Sequence, residues 1–453
     1  MKKIITITLF LITLLLSQSC ENMIEIDLPT DQINSESVFK DKRSATSALT
    51  NLYINLRDSS IFSGNSQGLG TYLGLYTDEL EAPSTSPTAD SFLLYNNSLD
   101  PTKYVLESIW NTSYANIYAI NLFMSGVTKS SEISKEDKEQ LLDKAYILRA
   151  MYYQALTQIF GDIPYTTTTD YKSNTTIKKI SPFEVFKNAE QDLLKSMETL
   201  SYTDNSPNKY YPNKAVAELI LAKNYLLQKK YDKAEYYAKL VINNPLYHLE
   251  TDLSKVFKNT AKSTIWQLSN VVNTVPTHEA KNYILFTNYL TIKLSSSLLN
   301  NIEDNDQRKY QWIKKHDNTG QFYAYKYKNR TNNTDECSVL FRVEEAYFIL
   351  SEALIYQNRE KEAIPYLNLI KQRAGTNPLP NTLSQEETLL KMLEESRKEF
   401  FLEHGRRFFD LKRNNKLSLL QVSKPNWQDK HKLLPYPEKE ILINPNLNPQ
   451  NEY

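Results

Sequence analysis

Apolar side chains recur every three to four positions through most of this chain, the signature of helices with one buried face. In "DKAYILRAMYYQALTQIFGDIPY", Ala145, Leu148, Tyr152, Ala155 and Ile159 share a face, and Gly161 is placed to cap the helix end. In "KAVAELILAKNYLLQKKYDKAEYYAKLVINNP", Ala215, Leu219, Ala222 and Leu226 form one stripe. After a turn at Lys229–Tyr231, Ala234, Tyr237, Ala238 and Val241 form a second, ended by Pro245. Asp232 followed by Glu235 resembles a capping box at the start of that second helix. The arrangement returns in "RVEEAYFILSEALIYQNREKEAIPYLNLIKQRAG", with Ala346, Ile349, Leu350 and Ala353 facing Ala363, Leu367, Ile370 and Ala374 before Gly375. Pro365 removes one backbone bond inside the last helix and predicts a bend rather than a break.

Small alanines where two helices touch, short turns and neighbouring aromatics predict a mainly α fold of tetratricopeptide-like hairpins. The hairpins are not tandem, so the expected architecture is a helical scaffold with insertions. Residues 250–335 carry the weakest helical period, mixing the β-rich "STIWQLSNVV" with "HDNTG" and "KNRTNNTDE". They predict a loop-rich, partly β insertion between halves at about 20–245 and 336–453.

The first residues break from this pattern. Lys2 and Lys3 precede thirteen uncharged residues, Ile4 to Leu16, and the run stops at Cys20. A membrane-spanning helix needs ~20 apolar residues. A basic start, a short apolar core and small residues before a break predict a secretory signal peptide over 1–19. "LLSQSC" is similar to the lipobox of bacterial lipoproteins, with Ser17 where leucine is usual, and that resemblance makes Cys20 the lipid attachment point. Two or more acyl chains hold a soluble body on a membrane stably. Cys337, the other cysteine, is then left with no disulfide partner.

Charge is balanced, 53 basic against 53 acidic residues, so no long-range field draws in nucleic acid. Catalytic strings do not hold up in context. "GNSQG" fits the G-x-S-x-G elbow around Ser66, but that elbow needs a strand before it and a helix after it. "HEAKN" has Asn282 where a zinc site needs its second histidine, the five histidines are scattered, and "GLGTYLG" has the wrong spacing for a dinucleotide loop. No enzyme, metal or cofactor is expected.

Four of the nine glycines fall between positions 64 and 74, which predicts a loop with unusual dihedrals. Tyr72, Tyr76, Phe92 and Tyr95 lie in or near it, and Tyr310, Trp312, Tyr323 and Tyr325 lie in the insertion. Flat aromatic faces can pack on the C–H faces of sugar rings, so these are the candidate ligand contacts among 31 tyrosines. Trp110 belongs to a helical block and is expected in the core.

The C-terminal strings "RKEFFLEHGRRFFDLKR" and "LLPYPEKEILINPNLNPQNEY" resemble the closing motifs of the SusD/RagB family, with His404 and Glu452 as departures. "CENMIEIDLPTDQINSESVF", "SATSALTNLYINL", "IWNTSYANIYAIN" and "LRAMYYQALTQIFGDIPY" fall in the family's order. The resemblance implies a lipid-anchored outer-membrane protein facing the cell surface. Such a protein binds a nutrient, usually a glycan or oligosaccharide and in some members a peptide, and delivers it to a TonB-dependent transporter. It implies a structural Arg407–Asp410 ion pair and a tail that lies extended against the body. The competing readings are an envelope scaffold holding a protein partner and a lipid-anchored glycosidase.

Overall fold

The computed structural model describes residues 38–82, 86–203, 207–270, 272, 274–285 and 292–453. The expected signal peptide and Cys20 lie outside them. The first half holds α1 (Lys42–Asp58), α2 (Leu69–Tyr76), β1 (Leu80–Glu81), α3 (Asp90–Tyr95), α4 (Tyr104–Lys129) and α5 (Lys135–Phe160). Then come β2 (Ile163–Pro164), α6 (Tyr171–Asn174), β3 (Lys179–Ile180), α7 (Pro182–Ser196), α8 (Lys214–Leu227) and α9 (Tyr231–Ile242). The middle holds β4 (Thr264–Leu268), α10 (His278–Tyr283), β5 (Lys293–Leu294), α11 (Ser296–Asn301), α12 (Gln307–Trp312), β6 (Ile313–Lys315), β7 (Phe322–Ala324) and β8 (Ser338–Arg342). The second half holds α13 (Glu344–Tyr356), α14 (Glu360–Arg373), α15 (Gln385–Phe400), α16 (Arg406–Arg413) and α17 (Glu438–Ile443).

Helices dominate, and they pair as the periodicity requires: α5 with α7, α8 with α9, and α13 with α14. Every alanine of the five stripes is buried. A methyl group lets helix axes approach closely while larger neighbours fill the grooves. The two halves join where α9 packs on α13, so one apolar core runs from Ala45 to Leu447. Ser134 caps α5 through the Asp137 amide, and Gly161 takes φ 79° at its far end, a conformation glycine adopts without steric cost. Helix α14 continues through Pro365. Pro365 and Lys361, whose carbonyl the proline leaves unpaired, are both exposed to solvent.

The middle segment is partly β as expected. β4 pairs antiparallel with β8, β6 with β7, and β1 reaches across to β5. The "PYP…NPNLNPQN" tail lies against the body, although it includes α17 and a 3-10 turn at Pro445–Leu447. Asn451 donates to the Phe160 and Leu434 carbonyls, and Tyr436 to that of Asp162. Trp110 sits in the core, 4.8 Å from Tyr114 and 5.1 Å from Phe160 between ring centroids.

Three expectations are corrected. Helix α9 starts one residue before Asp232, its cap is Lys230 without a side-chain bond, and Glu235 pairs instead with Lys239 and Arg359. Arg407 pairs with Asp78 at 3.0 Å, and Asp410 with Arg406 and Arg413. The glycine-rich stretch is a turn at 64–68 that runs into helix α2, and none of its four glycines takes a positive φ. A Cβ at Gly70 would stand 2.4 Å from the Leu402 carbonyl oxygen, and one at Gly68 would stand 1.7 Å from that of Ser63. These glycines serve close approach. The left-handed backbone lies opposite, at Leu402 (φ 61°), His404 (φ 49°) and Gly405 (φ 72°).

A buried ion network ties this region together. Glu399, fully buried, accepts from Arg308 at 3.1 Å, Arg342 at 2.5 Å and Arg373 at 2.6 Å. Arg342 also reaches Glu403 at 3.0 Å. The residues of the closing motif therefore hold the fold.

Candidate functional site

The short β1–β5 ladder lies beside both Tyr95 and β7, the strand that carries Tyr323. Glu81 and Lys293 face across it with a 2.9 Å ion pair, and β5 lies against β7. On one side, α3 ends at Tyr95, whose half-buried ring has the Lys424 amine 3.8 Å from its centroid. Lys424 also donates to the carbonyls of Leu75 and Tyr95, at 2.6 and 2.8 Å. Burial pushes the Tyr95 hydroxyl above its ordinary pKa, and the nearby Glu81 charge adds to the rise. Burial also lowers the Lys424 amine to about 7.

On the other side, Tyr323 and Tyr325 meet edge to face at 6.1 Å, Tyr323 buried behind a half-buried Tyr325. The Tyr325 amide bonds the Trp312 carbonyl at 2.7 Å, which fixes the strand against the body. Lys314 and Lys328 place their amines 5.2 and 5.7 Å from the Tyr325 centroid, and Lys315 sits 5.8 Å from that of Phe322. Amines over ring faces are held by the ring quadrupole. Tyr95 and Tyr325 are thus half-buried rings with lysine amines near their faces, and Tyr95 also lies near the Glu81 carboxylate. Such a surface can stack a ring's C–H face and hydrogen-bond its hydroxyls.

The other predicted contacts lie elsewhere. Tyr72 is buried within α2, and burial pushes its hydroxyl up to about 12. Tyr76 packs on Trp427 at 5.5 Å and donates to the His431 carbonyl. Trp312 is 0 % exposed, donates to the Leu253 carbonyl at 2.9 Å and packs against Phe257. These three rings are committed to the core, which corrects the expectation that they face a ligand. Tyr310 is 62 % exposed, but it stands apart on α12, bonded to the Asp304 carbonyl. Lys314, Lys424, Glu81 and Lys293 were missed, because cations and carboxylates are too common in the sequence to stand out before β pairing brings them together.

Ser66 sits exposed in a turn after α1, without the preceding strand an elbow requires. Asn282, on α10, donates to Thr71 and to the Gly64 carbonyl. Among the described residues no cluster of three or more metal-ligating side chains occurs, and no helix is long and apolar enough to cross a membrane.

The fold is a mainly helical scaffold of paired hairpins with short β ladders. Two models of one family cover most of the chain: "Starch-binding associating with outer membrane" matches residues 30–226 and "SusD family" matches 260–453. The chain belongs to the SusD/RagB family. It is 25% identical over 509 residues to SusD-like protein P2 of Formosa agariphila, covering 98% of each chain. SusD-like protein P38 of the same organism is 30% identical over 166 residues, 36% of this chain and 31% of that protein. Among solved structures, a SusD superfamily protein from Bacteroides vulgatus superposes with a TM-score of 0.79 at 19% identity, covering 91% of this chain and 99% of that one. Surface glycan-binding protein A from Bacteroides thetaiotaomicron, solved with laminarihexaose, gives 0.75 at 18% identity, covering 91% and 100%.

Proposed function

We propose that this protein binds a glycan or oligosaccharide on an aromatic strip formed by the half-buried rings of Tyr95 and Tyr325, with Tyr323 packed behind Tyr325. In this reading the body is held on the outer membrane through acylated Cys20, faces outward, and passes its ligand to a TonB-dependent transporter without chemical change. The observations that support the binding step are Tyr95 beside the Glu81–Lys293 ion pair and the Tyr323–Tyr325 pair on and after β7, the strand that lies against β5. Rings alone would suit many apolar ligands. Rings bordered by an ion pair and lysine amines suit one with an apolar face and a hydroxylated rim. The family description and the laminarihexaose complex of the Bacteroides thetaiotaomicron protein support the ligand class.

The test is calorimetric titration with laminarihexaose, maltohexaose and other soluble oligosaccharides. Tyr325→Ala and Tyr95→Ala are each expected to weaken the bound glycan several-fold to about tenfold, the range of losing one aromatic contact. Unchanged affinity in both variants removes this site. For the anchor, Cys20→Ala is expected to move the protein from the membrane to the soluble fraction. Retention on the membrane overturns that part.

A further inference from the structure

Away from that strip, a cavity of about 550 Å³ opens between the ends of α5 and α8 and the last segment of chain. That volume lies within the range of small-molecule sites. Its apolar wall includes Phe186, Leu226 and Tyr436, together with Tyr231 and Tyr356, whose rings stack 4.8 Å apart and 8° from parallel.

The charges lining the cavity do not balance. Lys179, Lys229, Lys412, Lys432 and Arg413 face it, against the carboxylates of Asp162 and Glu352. Both Glu352 oxygens are taken by Arg413, at 2.6 Å each. Lys432 pairs with Asp429 at 2.6 Å, outside the cavity lining. The Lys179 amine donates to the Pro449 carbonyl at 2.7 Å and lies 4.7 Å from the Tyr436 centroid. Lys412 donates to the Gln158 carbonyl and lies 5.7 Å from the Phe408 centroid, with no carboxylate among its described partners. An amine taken out of water without a counter-charge is costly, and fold packing alone would be served as well by methionine.

We propose that this cavity is a second binding site, for a small organic anion whose carboxylate meets Lys412 and whose flat body rests on the Tyr231–Tyr356 pair. Burial, with the neighbouring Lys432 charge second, lowers the Lys412 amine to about 7. Of the other charged groups lining the cavity, Lys179, Lys229 and Arg413 oppose its protonation and Asp162 and Glu352 favour it. An incoming carboxylate supplies the missing counter-charge, so binding near pH 8 draws in a proton. A uronic-acid sugar and a peptide C-terminus both carry this chemistry.

The site is tested by calorimetry on the purified protein at pH 8, in two buffers of different ionisation enthalpy. The probes are digalacturonate and the N-acetylated tripeptide Ala-Tyr-Ala, with lactose and the acetylated tripeptide amide as uncharged controls. At least one charged probe is expected to bind ten times or more tightly than its control, with proton uptake visible as a buffer-dependent heat. Binding of digalacturonate alone assigns an acidic sugar, and binding of the tripeptide alone a peptide end. Lys412→Met is expected to weaken binding at least tenfold and abolish proton uptake, because a partly buried charge-assisted bond is lost. Lys229→Gln, on the exposed rim, should weaken it a few-fold and tests the site even where Lys412→Met fails to fold. Tyr325→Ala should leave this binding unchanged, which separates failure here from failure of the glycan strip. Equal affinity for charged and uncharged probes, no binding of either charged probe, or unchanged binding by folded Lys412→Met overturns the proposal.

Discussion

Replacing Glu399 with glutamine probes the buried ion network at its centre. The carboxylate accepts from three guanidiniums between 2.5 and 3.1 Å. At an effective dielectric of about 20, each contact contributes a gross attraction of roughly 5 kcal/mol, offset by the cost of dehydrating the charges. Glutamine keeps the shape but turns an N–H toward arginine donors and leaves positive charge uncompensated. Breaking one partner of a buried ion pair costs about 3–5 kcal/mol. Unfolding entropy of ~2.1 cal/mol/K per residue makes that a fall in Tm of only about 3–5 °C for a chain of this length, so urea denaturation at pH 7 is the better assay. Acid supplies a second reading. Burial alone would raise the Glu399 pKa, but Arg373, Arg342 and Arg308 hold it well below its ordinary 4.5. A carboxylate depressed on folding adds stability that is complete above about pH 4.5 and fades as pH falls toward the depressed value, by up to ~1.4 kcal/mol per pH unit. The gap between wild type and Glu399→Gln is therefore expected to be constant from pH 5 to 7 and to narrow below 4.5. A variant as stable as wild type at pH 7, or a gap that widens in acid, refutes the reasoning.

Gly70→Ala gains about 1 kcal/mol of helix propensity but must push aside the Leu402 carbonyl, which would lie 2.4 Å from the new methyl group. It is expected to lower the urea midpoint, and a raised midpoint would show that the 402 segment yields freely. Ser181 caps α7 in a complete capping box, so Ser181→Ala should cost about 1 kcal/mol, whereas Asp232→Ala should fall within about 0.5 kcal/mol of wild type by the same measurement. Lys424, lowered to about 7 by burial, binds its proton more weakly folded than unfolded. Wild type should therefore gain stability relative to Lys424→Met between pH 7 and 9, by up to ~1.4 kcal/mol per unit, and a flat difference would contradict the burial argument.

The helix pairs were legible because alanine spacing is a local signal: Ala215 and Ala222 declare a face whatever packs on it. Partners distant in sequence were not. Nothing near Arg407 points to Asp78, and nothing near Gly70 points to Leu402, so an ion pair was assigned to the nearest carboxylate and a close approach was taken for a loop. The aromatics failed for a related reason. Tyr76, Trp312 and Tyr325 look alike in sequence, and only the fold separates two core rings from one on a partly open strip. Lys412 lies within a stretch of arginines and lysines that otherwise have carboxylate partners, so its isolation had no local mark.

The seam between α9 and α13 joins segments about a hundred residues apart. A chain that emerges N-terminus first, from a ribosome or an export channel, therefore completes the 214–242 hairpin well before the surface that covers it exists. Until residue 356 has emerged, the outer side of that hairpin stays wet and is open to mispairing or to a chaperone. Slow, late-committing folding follows from this order of synthesis, and a chain truncated before α13 would be left with a sticky end rather than a smaller stable protein.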